Sequence, residues 1–228
     1  MDCYADAVKR VGALVAARRK GWAVAINPEK IQAAGKDAAL RELLNSADLK
    51  ICDGVGAAVG VRWLHGRSIP RVTGIQLFFD LISAAAEQGW KVFLLGASEE
   101  SSTGAFEKLK QDYPGLKLVG RRNGYFEDAA AVVKDINAAA PDLLFVAMGS
   151  PRQEYWIGKH QAALDVPFCM GVGGTLDVVS GNAKWAPAIC RKTGTEWFYR
   201  LVTDPRRWRR QLVLPAFALR ILRAGRGG

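Results

Sequence analysis

The chain has 228 residues, half of them hydrophobic, and a formal net charge of +10. That length suits one large or two small domains with a sizeable core, and no apolar run approaches the roughly 20 residues that span a bilayer. The first residues, Met1-Asp2-Cys3-Tyr4-Ala5-Asp6, lack a charged leader with an apolar core, so no signal peptide is expected. Cys3, Cys52, Cys169 and Cys190 show no CxxC spacing, and Cys52 and Cys169 lie within apolar runs as small core residues, which fits a reduced, cytoplasmic setting.

The charge is uneven. Residues 191–228 hold nine Arg and one Lys against Glu196 and Asp204, a net +8, which leaves only +2 for residues 1–190. A basic segment of this kind seeks phosphate groups, on nucleic acid or on anionic lipid.

In chain order, residues 4–20 carry Ala7, Val8, Val11, Leu14 and Val15 at helical spacing. Residues 22–26 read as a strand ending at Asn27-Pro28, and a helix is expected over 29–46. A short strand at 49–52 ends at Asp53-Gly54. A helix follows from Val72 to about Gln88, then a strand at 91–96. Ser98 is placed to cap the next helix. A weaker strand spans 117–120, a helix 128–139, a strand 142–147, a helix from 151, and a last strand 166–172. This alternation predicts an α/β fold: a mainly parallel, Rossmann-like sheet with helices on both faces, formed by residues 1–190. Residues 191–228 differ in composition and predict a short, basic, amphipathic helical appendage, divided by Pro205 and Pro215.

Open α/β sheets bind ligands at the carboxyl edge of their strands, so the turns there matter most. Gly149 allows a tight turn after strand 142–147, and Pro151 suits a first helical turn, which places Gln153 and Glu154 at that edge. Asp53-Gly54-Val55-Gly56, Gly96-Ala97-Ser98 and Gly171-Val172-Gly173-Gly174-Thr175 are small or polar turns whose backbone N–H groups can approach a phosphate. None is a P-loop or a GxGxxG in context. Asp53 has two readings: a carboxylate facing a cleft, able to take a proton from a hydroxyl, or an N-cap for the helix that follows. Arg71 and Thr73 offer a guanidinium and a hydroxyl for an anionic group, or a solvated Arg beside a helix cap. His65 and His160 have no ligand spacing, and with no HExxH, CxxC or Asp-x-Asp no metal site is expected. In the appendage, Trp197, Phe198, Leu201 and Val202 form a helical stripe, and arginines flank Trp208, the composition of an interfacial membrane helix. The alternatives are a helical hairpin packed on the sheet with solvated arginines, or an arginine-rich arm on nucleic acid; no nucleic-acid motif supports the last.

These segments together resemble the WecG/TagA/CpsF family of bacterial glycosyltransferases. The likeness covers nearly the whole chain. It rests on Asn27-Pro28-Glu29, Asp53-Gly54-Val55-Gly56, Arg71-Val72-Thr73-Gly74, Gly124-Tyr125-Phe126, the stretch from Gly149 to Ile157, the stretch from Gly171 to Asp177, and Glu196-Trp197-Phe198-Tyr199-Arg200-Leu201. The resemblance implies an inverting transfer, without metal or other cofactor, from a UDP-sugar to a sugar on a polyprenyl diphosphate at the cytoplasmic membrane face. Family donors are UDP-linked N-acetylmannosamine, its uronic acid, or a hexose such as glucose, and the products feed wall teichoic acid, common antigen or exopolysaccharide.

By the resemblance the catalytic base falls on Asp53 and the donor pocket on Asn27, Arg71 and Gln153. The family often has Thr two residues before that Asn; here the position is Ala25, without a hydroxyl. Arg152 stands where Lys is common, and the chain starts later than typical members. With no metal, leaving-group charge falls to arginines and helix N-termini: Arg71 and the turn holding Gly171 and Gly173, and Arg200, Arg206, Arg207 and Arg210 of the appendage once docking on an anionic membrane folds it over the cleft. Thr73 joins the expected substrate-binding set, and a homo-oligomer is compatible with the apolar appendage.

Overall fold

Six short segments, each four to six residues long and most of them apolar, form one sheet in the computed structural model, which describes residues 3–203, 208 and 212–224. The strands are β1 (Gly21–Ile26), β2 (Leu49–Cys52), β3 (Lys91–Gly96), β4 (Lys117–Arg122), β5 (Leu143–Ala147) and β6 (Phe168–Gly171). Their order across the sheet is β2-β1-β6-β5-β3-β4, and every neighbouring pair is parallel. All six expected strands are present. Because the sheet is wholly parallel, the ends of β1, β2, β3, β5 and β6 lie at one edge, which collects Asn27, Asp53, Ala97, Met148 and Val172.

Helices cover both faces, as the near-continuous burial of β3, β5 and β6 requires. On one side α1 (Cys3–Ala16), α5 (Gly74–Gln88), α6 (Glu99–Asp112) and α9 (Thr175–Val179) bury Val11, Phe78, Leu81 and Leu176 against Phe145 and Phe168. On the other, α2 (Pro28–Ala34), α3 (Ala38–Ser46), α7 (Ala129–Ala139) and α8 (Arg152–His160) bury Leu40, Ile136 and Ile157 against Trp22 and Leu144.

Two helix expectations need correction. The helix expected over 4–20 ends at Ala16, where Arg18 turns into the left-handed region with φ 49°. The helix expected over 29–46 is two helices. Asp37 is extended and its side chain accepts from the Leu40 N–H, so it caps α3 and ends the continuity. Ser98 caps α6 as expected, accepting from the Ser101 N–H. Cys169 is buried, and burial pushes its thiol up to about 12.

Beyond β6, helices α10 (Ala188–Thr193) and α11 (Glu196–Thr203) are followed by a C-terminal helix, Val213–Ala224. This last helix packs on α2 and on α4 (Val55–His65). Glycines make the approach close: a Cβ at Gly60 would lie 2.5 Å from Ile221 Cδ1, and one at Gly56 would lie 2.9 Å from Pro28 Cγ and 3.9 Å from Phe217. Phe217 and Ile221 of the appendage are therefore spent inside the protein. Gly60→Leu should favour α4 itself by about 0.8 kcal/mol of helix propensity while pushing Ile221 away. The expected result is faster tryptic cleavage after Arg220 and Arg223 with an unchanged urea midpoint for the sheet; unchanged cleavage would mean that the helix docks elsewhere.

Candidate active site

Asp53 follows β2, and its N–H donates to Ile26 O at 2.8 Å, which draws the turn against the end of β1. The N-cap position of α4 is Gly54, at φ 104°, so the carboxylate stands one residue ahead of the position that the capping alternative needed. Asp53 is partly exposed. Its Oδ2 faces the start of α5: a Cβ at Gly74 would lie 3.9 Å from that oxygen, 3.5 Å from Ala25 Cβ and 3.9 Å from Met170 Cε. Ala25 thus borders the same place at the start of α5 as the Asp53 carboxylate. The Cys52 thiol is pushed up by burial and by the Asp53 charge, and drawn back down by Arg71, so an anion and a cation both act on one residue.

Arg71 is engaged rather than solvated. Its Nη1 donates to Arg191 O at 2.7 Å, and its Nη2 pairs with Glu196 Oε1 at 2.9 Å, while Nε is buried with no hydrogen-bond partner. Arg191 and Glu196 belong to α10 and α11, so the appendage reaches back over the sheet edge. Thr73 occupies the N-cap position of α5, but its side chain makes no capping bond; instead the Tyr4 hydroxyl accepts from the Thr73 N–H at 2.9 Å. Tyr4, Arg71, Thr73, Gln76, Trp185 and Glu196 line a cleft of about 650 Å³.

Asn27 caps α2, its Oδ1 accepting from the Lys30 N–H at 2.9 Å. Gln153 is buried. Its Oε1 accepts from the Gly173 N–H at 2.9 Å, and its Nε2 donates to Glu154 Oε1 at 2.9 Å. Lys30 Nζ meets the same Glu154 oxygen at 2.8 Å. Gly171 is pressed against this amide: a Cβ there would fall 2.5 Å from Gln153 Nε2. The glycine turn after β6, expected to offer N–H groups to a phosphate, therefore gives its Gly173 N–H to Gln153. Of the appendage arginines, Arg200 lies on α11, while Arg206, Arg207 and Arg210 fall outside the described residues. Among the described residues no group of three or more His, Cys, Asp or Glu is placed to hold a metal.

A second cleft, of about 410 Å³, lies beyond β3 and β4 and is lined by Glu99, Arg121, Arg122, Asn123, Tyr125 and Phe126. Arg121 pairs with Glu99 at 2.7 Å, Asn123 donates to its other oxygen at 2.7 Å, and together they hold the Glu99 carboxyl down at about 2. Tyr125 is 79% exposed, an open aromatic face beside two arginines. Gly124-Tyr125-Phe126, which local pattern assigns no role, thus supplies two residues of this cleft. Tyr4, Trp185, Arg191 and Glu196 were also missed, because only the folded chain brings them to Arg71.

Residues 1–228 match the glycosyl transferase WecG/TagA/CpsF family. The chain belongs to this glycosyltransferase family. It is 36% identical over 198 residues to the N-acetylglucosaminyldiphosphoundecaprenol N-acetyl-beta-D-mannosaminyltransferase of Bacillus subtilis (strain 168), covering 87% of this chain and 77% of that one. It is likewise 36% identical over 201 residues to the protein of the same name from Bacillus spizizenii (strain ATCC 23059 / NRRL B-14472 / W23), covering 88% and 78%. Asp53 stands at the strand edge beside Gly74, Arg71 lines the cleft of about 650 Å³, and buried hydrogen bonds join the turns after β1, β5 and β6.

Proposed function

We propose that this chain transfers a hexose or N-acetylhexosamine from a UDP-sugar to a sugar carried on a polyprenyl diphosphate, with inversion and without a metal, in the assembly of a bacterial surface polysaccharide. The carrying observation is the partly exposed Asp53 carboxylate at the sheet's carboxyl edge, facing Gly74 and flanking Cys52 with Arg71. Asp53 takes the proton of the acceptor hydroxyl as that oxygen bonds to the anomeric carbon. The bond from that carbon to UDP breaks on the opposite face, and its electron pair leaves with the diphosphate. Cations then meet the developing charge: Arg71, once Glu196 yields it, and the appendage arginines Arg200, Arg206, Arg207 and Arg210. Asn27, Thr73, Gln153, Gly171 and Gly173 belong to the donor side. The acceptor follows from the names of the two Bacillus relatives.

Two donor readings compete. The relatives' names carry N-acetylmannosamine. Ala25 near Asp53 lacks the hydroxyl that the family often has, which counts against that sugar; the competing reading is UDP-glucose. The placement is peripheral, on the cytoplasmic face of an anionic membrane. Among the described residues no helix is long and apolar enough to cross a bilayer. Val59 and Trp63 of α4, each 56% exposed, and Trp197, Phe198 and Val202 of α11 are open apolar side chains next to a segment rich in arginine, the combination that binds anionic interfaces. A homo-oligomer is compatible with the same surfaces.

The test is UDP release from a panel of UDP-sugars with a polyprenyl-diphosphate-linked sugar acceptor, with and without anionic vesicles. The expected result is turnover with one donor, raised by the vesicles. Turnover with none would sink the reading, and the choice between UDP-glucose and UDP-N-acetylmannosamine settles the donor.

A further inference from the structure

Gln153, Glu154 and Lys30 are 2%, 0% and 6% exposed. They link the turns after β1, β5 and β6 by a buried chain: Lys30 Nζ to Glu154 Oε1, Gln153 Nε2 to the same oxygen, and Gly173 N–H to Gln153 Oε1. We propose that the Lys30–Glu154 pair is a positioning device, which fixes which end of the Gln153 amide faces the Gly173 turn and so sets the donor side of the cleft. Its bearing on the donor rests on the glycosyl-transfer reading above.

The argument is one of donors and acceptors. An amide can present either end, and its two ends have nearly the same shape. Glu154, paired with an ammonium group, can only accept; the Gly173 N–H can only donate. Between them Gln153 has one orientation that satisfies both neighbours. A flip would set its NH₂ against the Gly173 N–H and its carbonyl against the buried carboxylate, two repulsive contacts. Gly171 gives the amide its place, since a Cβ there would lie 2.5 Å from Gln153 Nε2. Lys30 compensates the buried negative charge, which could not stand alone.

A purely stabilising role fits the geometry less well. Two apolar residues of similar volume would hold a fold as well as a buried ion pair does, and here Glu154 Oε2 is buried with no hydrogen-bond partner. Orientation is what the pair supplies and an apolar substitute cannot.

The experiment compares the wild-type chain with Glu154→Gln and with the double variant Lys30→Met/Glu154→Leu. Melting temperature, kcat, KM for the UDP-sugar, and hydrogen exchange at the Gly173 amide are read in each. Glu154→Gln is the conservative change, keeping shape and removing the acceptor-only character. The double variant removes both charges together and should melt no lower than wild type. In both, KM should rise about tenfold, the worth of one well-placed hydrogen bond, with a smaller change in kcat. Gly173 exchange should be faster while core strand amides stay as protected as before. A double variant that recovers the melting temperature together with the wild-type KM and exchange would show a structural pair only, and overturn the proposal. Wild-type KM and exchange in Glu154→Gln would overturn it as well. If wild type turns over no UDP-sugar, the glycosyl-transfer reading fails, and Gly173 exchange alone still decides the positioning role.

Discussion

Asp53→Asn should lower kcat by about 10²–10⁴-fold, the usual contribution of a positioned base, with little change in KM for the donor. The expectation follows from what the substitution keeps. Asn has the same shape, and the tie between Asp53 and Ile26 runs through the backbone N–H, so the turn after β2 survives. The N-cap position of α4 is Gly54 rather than residue 53. What is lost is the capacity to hold the acceptor's proton at the moment of attack. Steady-state kinetics and a melting curve on the same preparation check it. Turnover within a few fold of wild type would remove Asp53 from the chemistry, and a large drop in melting temperature would make it a structural carboxylate.

The largest effect on stability should come from Gly96→Ala. Gly96 ends β3 at φ 120°, where an L side chain is strained, and its added Cβ would lie 2.3 Å from Ala147 O and 2.5 Å from Ala147 C on the neighbouring strand. Both obstacles are backbone, so no side chain can step aside. Strain and overpacking together should cost about 3 kcal/mol or more. Gly66→Ala is the control: φ is 63° and nothing lies within 4 Å, so backbone strain alone applies, about 1–2 kcal/mol. Urea unfolding of both variants separates the two terms. Equal losses would mean that the close pairing of Gly96 with Ala147 is absent.

The sheet was legible because its strands are short apolar runs with turns at their ends. Lys91–Gly96 and the run before Met148 are buried along almost their whole length, and a fully covered parallel strand writes that burial into its sequence. Edge strand β4 is only half-buried and gave the weakest signal. The break between α2 and α3 was readable in Gly35 and Asp37 but was hidden by the helical spacing on either side. Helix α4 carries its glycines for contact with Pro28, Phe217 and Ile221, so its own pattern did not announce a helix.

The candidate site divides in the same way. Asp53, Asn27 and Gln153 could be placed at the carboxyl edge because each follows a strand or opens the next helix. Their partners could not be found. Arg71 meets Glu196 across 125 positions, and Gln153 orients by Gly173 and Glu154. Such pairings depend on crossovers, which local pattern does not encode. The second cleft was missed for the same reason, since Glu99 and Arg121 stand on different elements.

The Tyr4 hydroxyl bonds to Thr73, and Tyr4 forms part of the cleft wall. The first described turn of the chain is therefore a doorpost of the site.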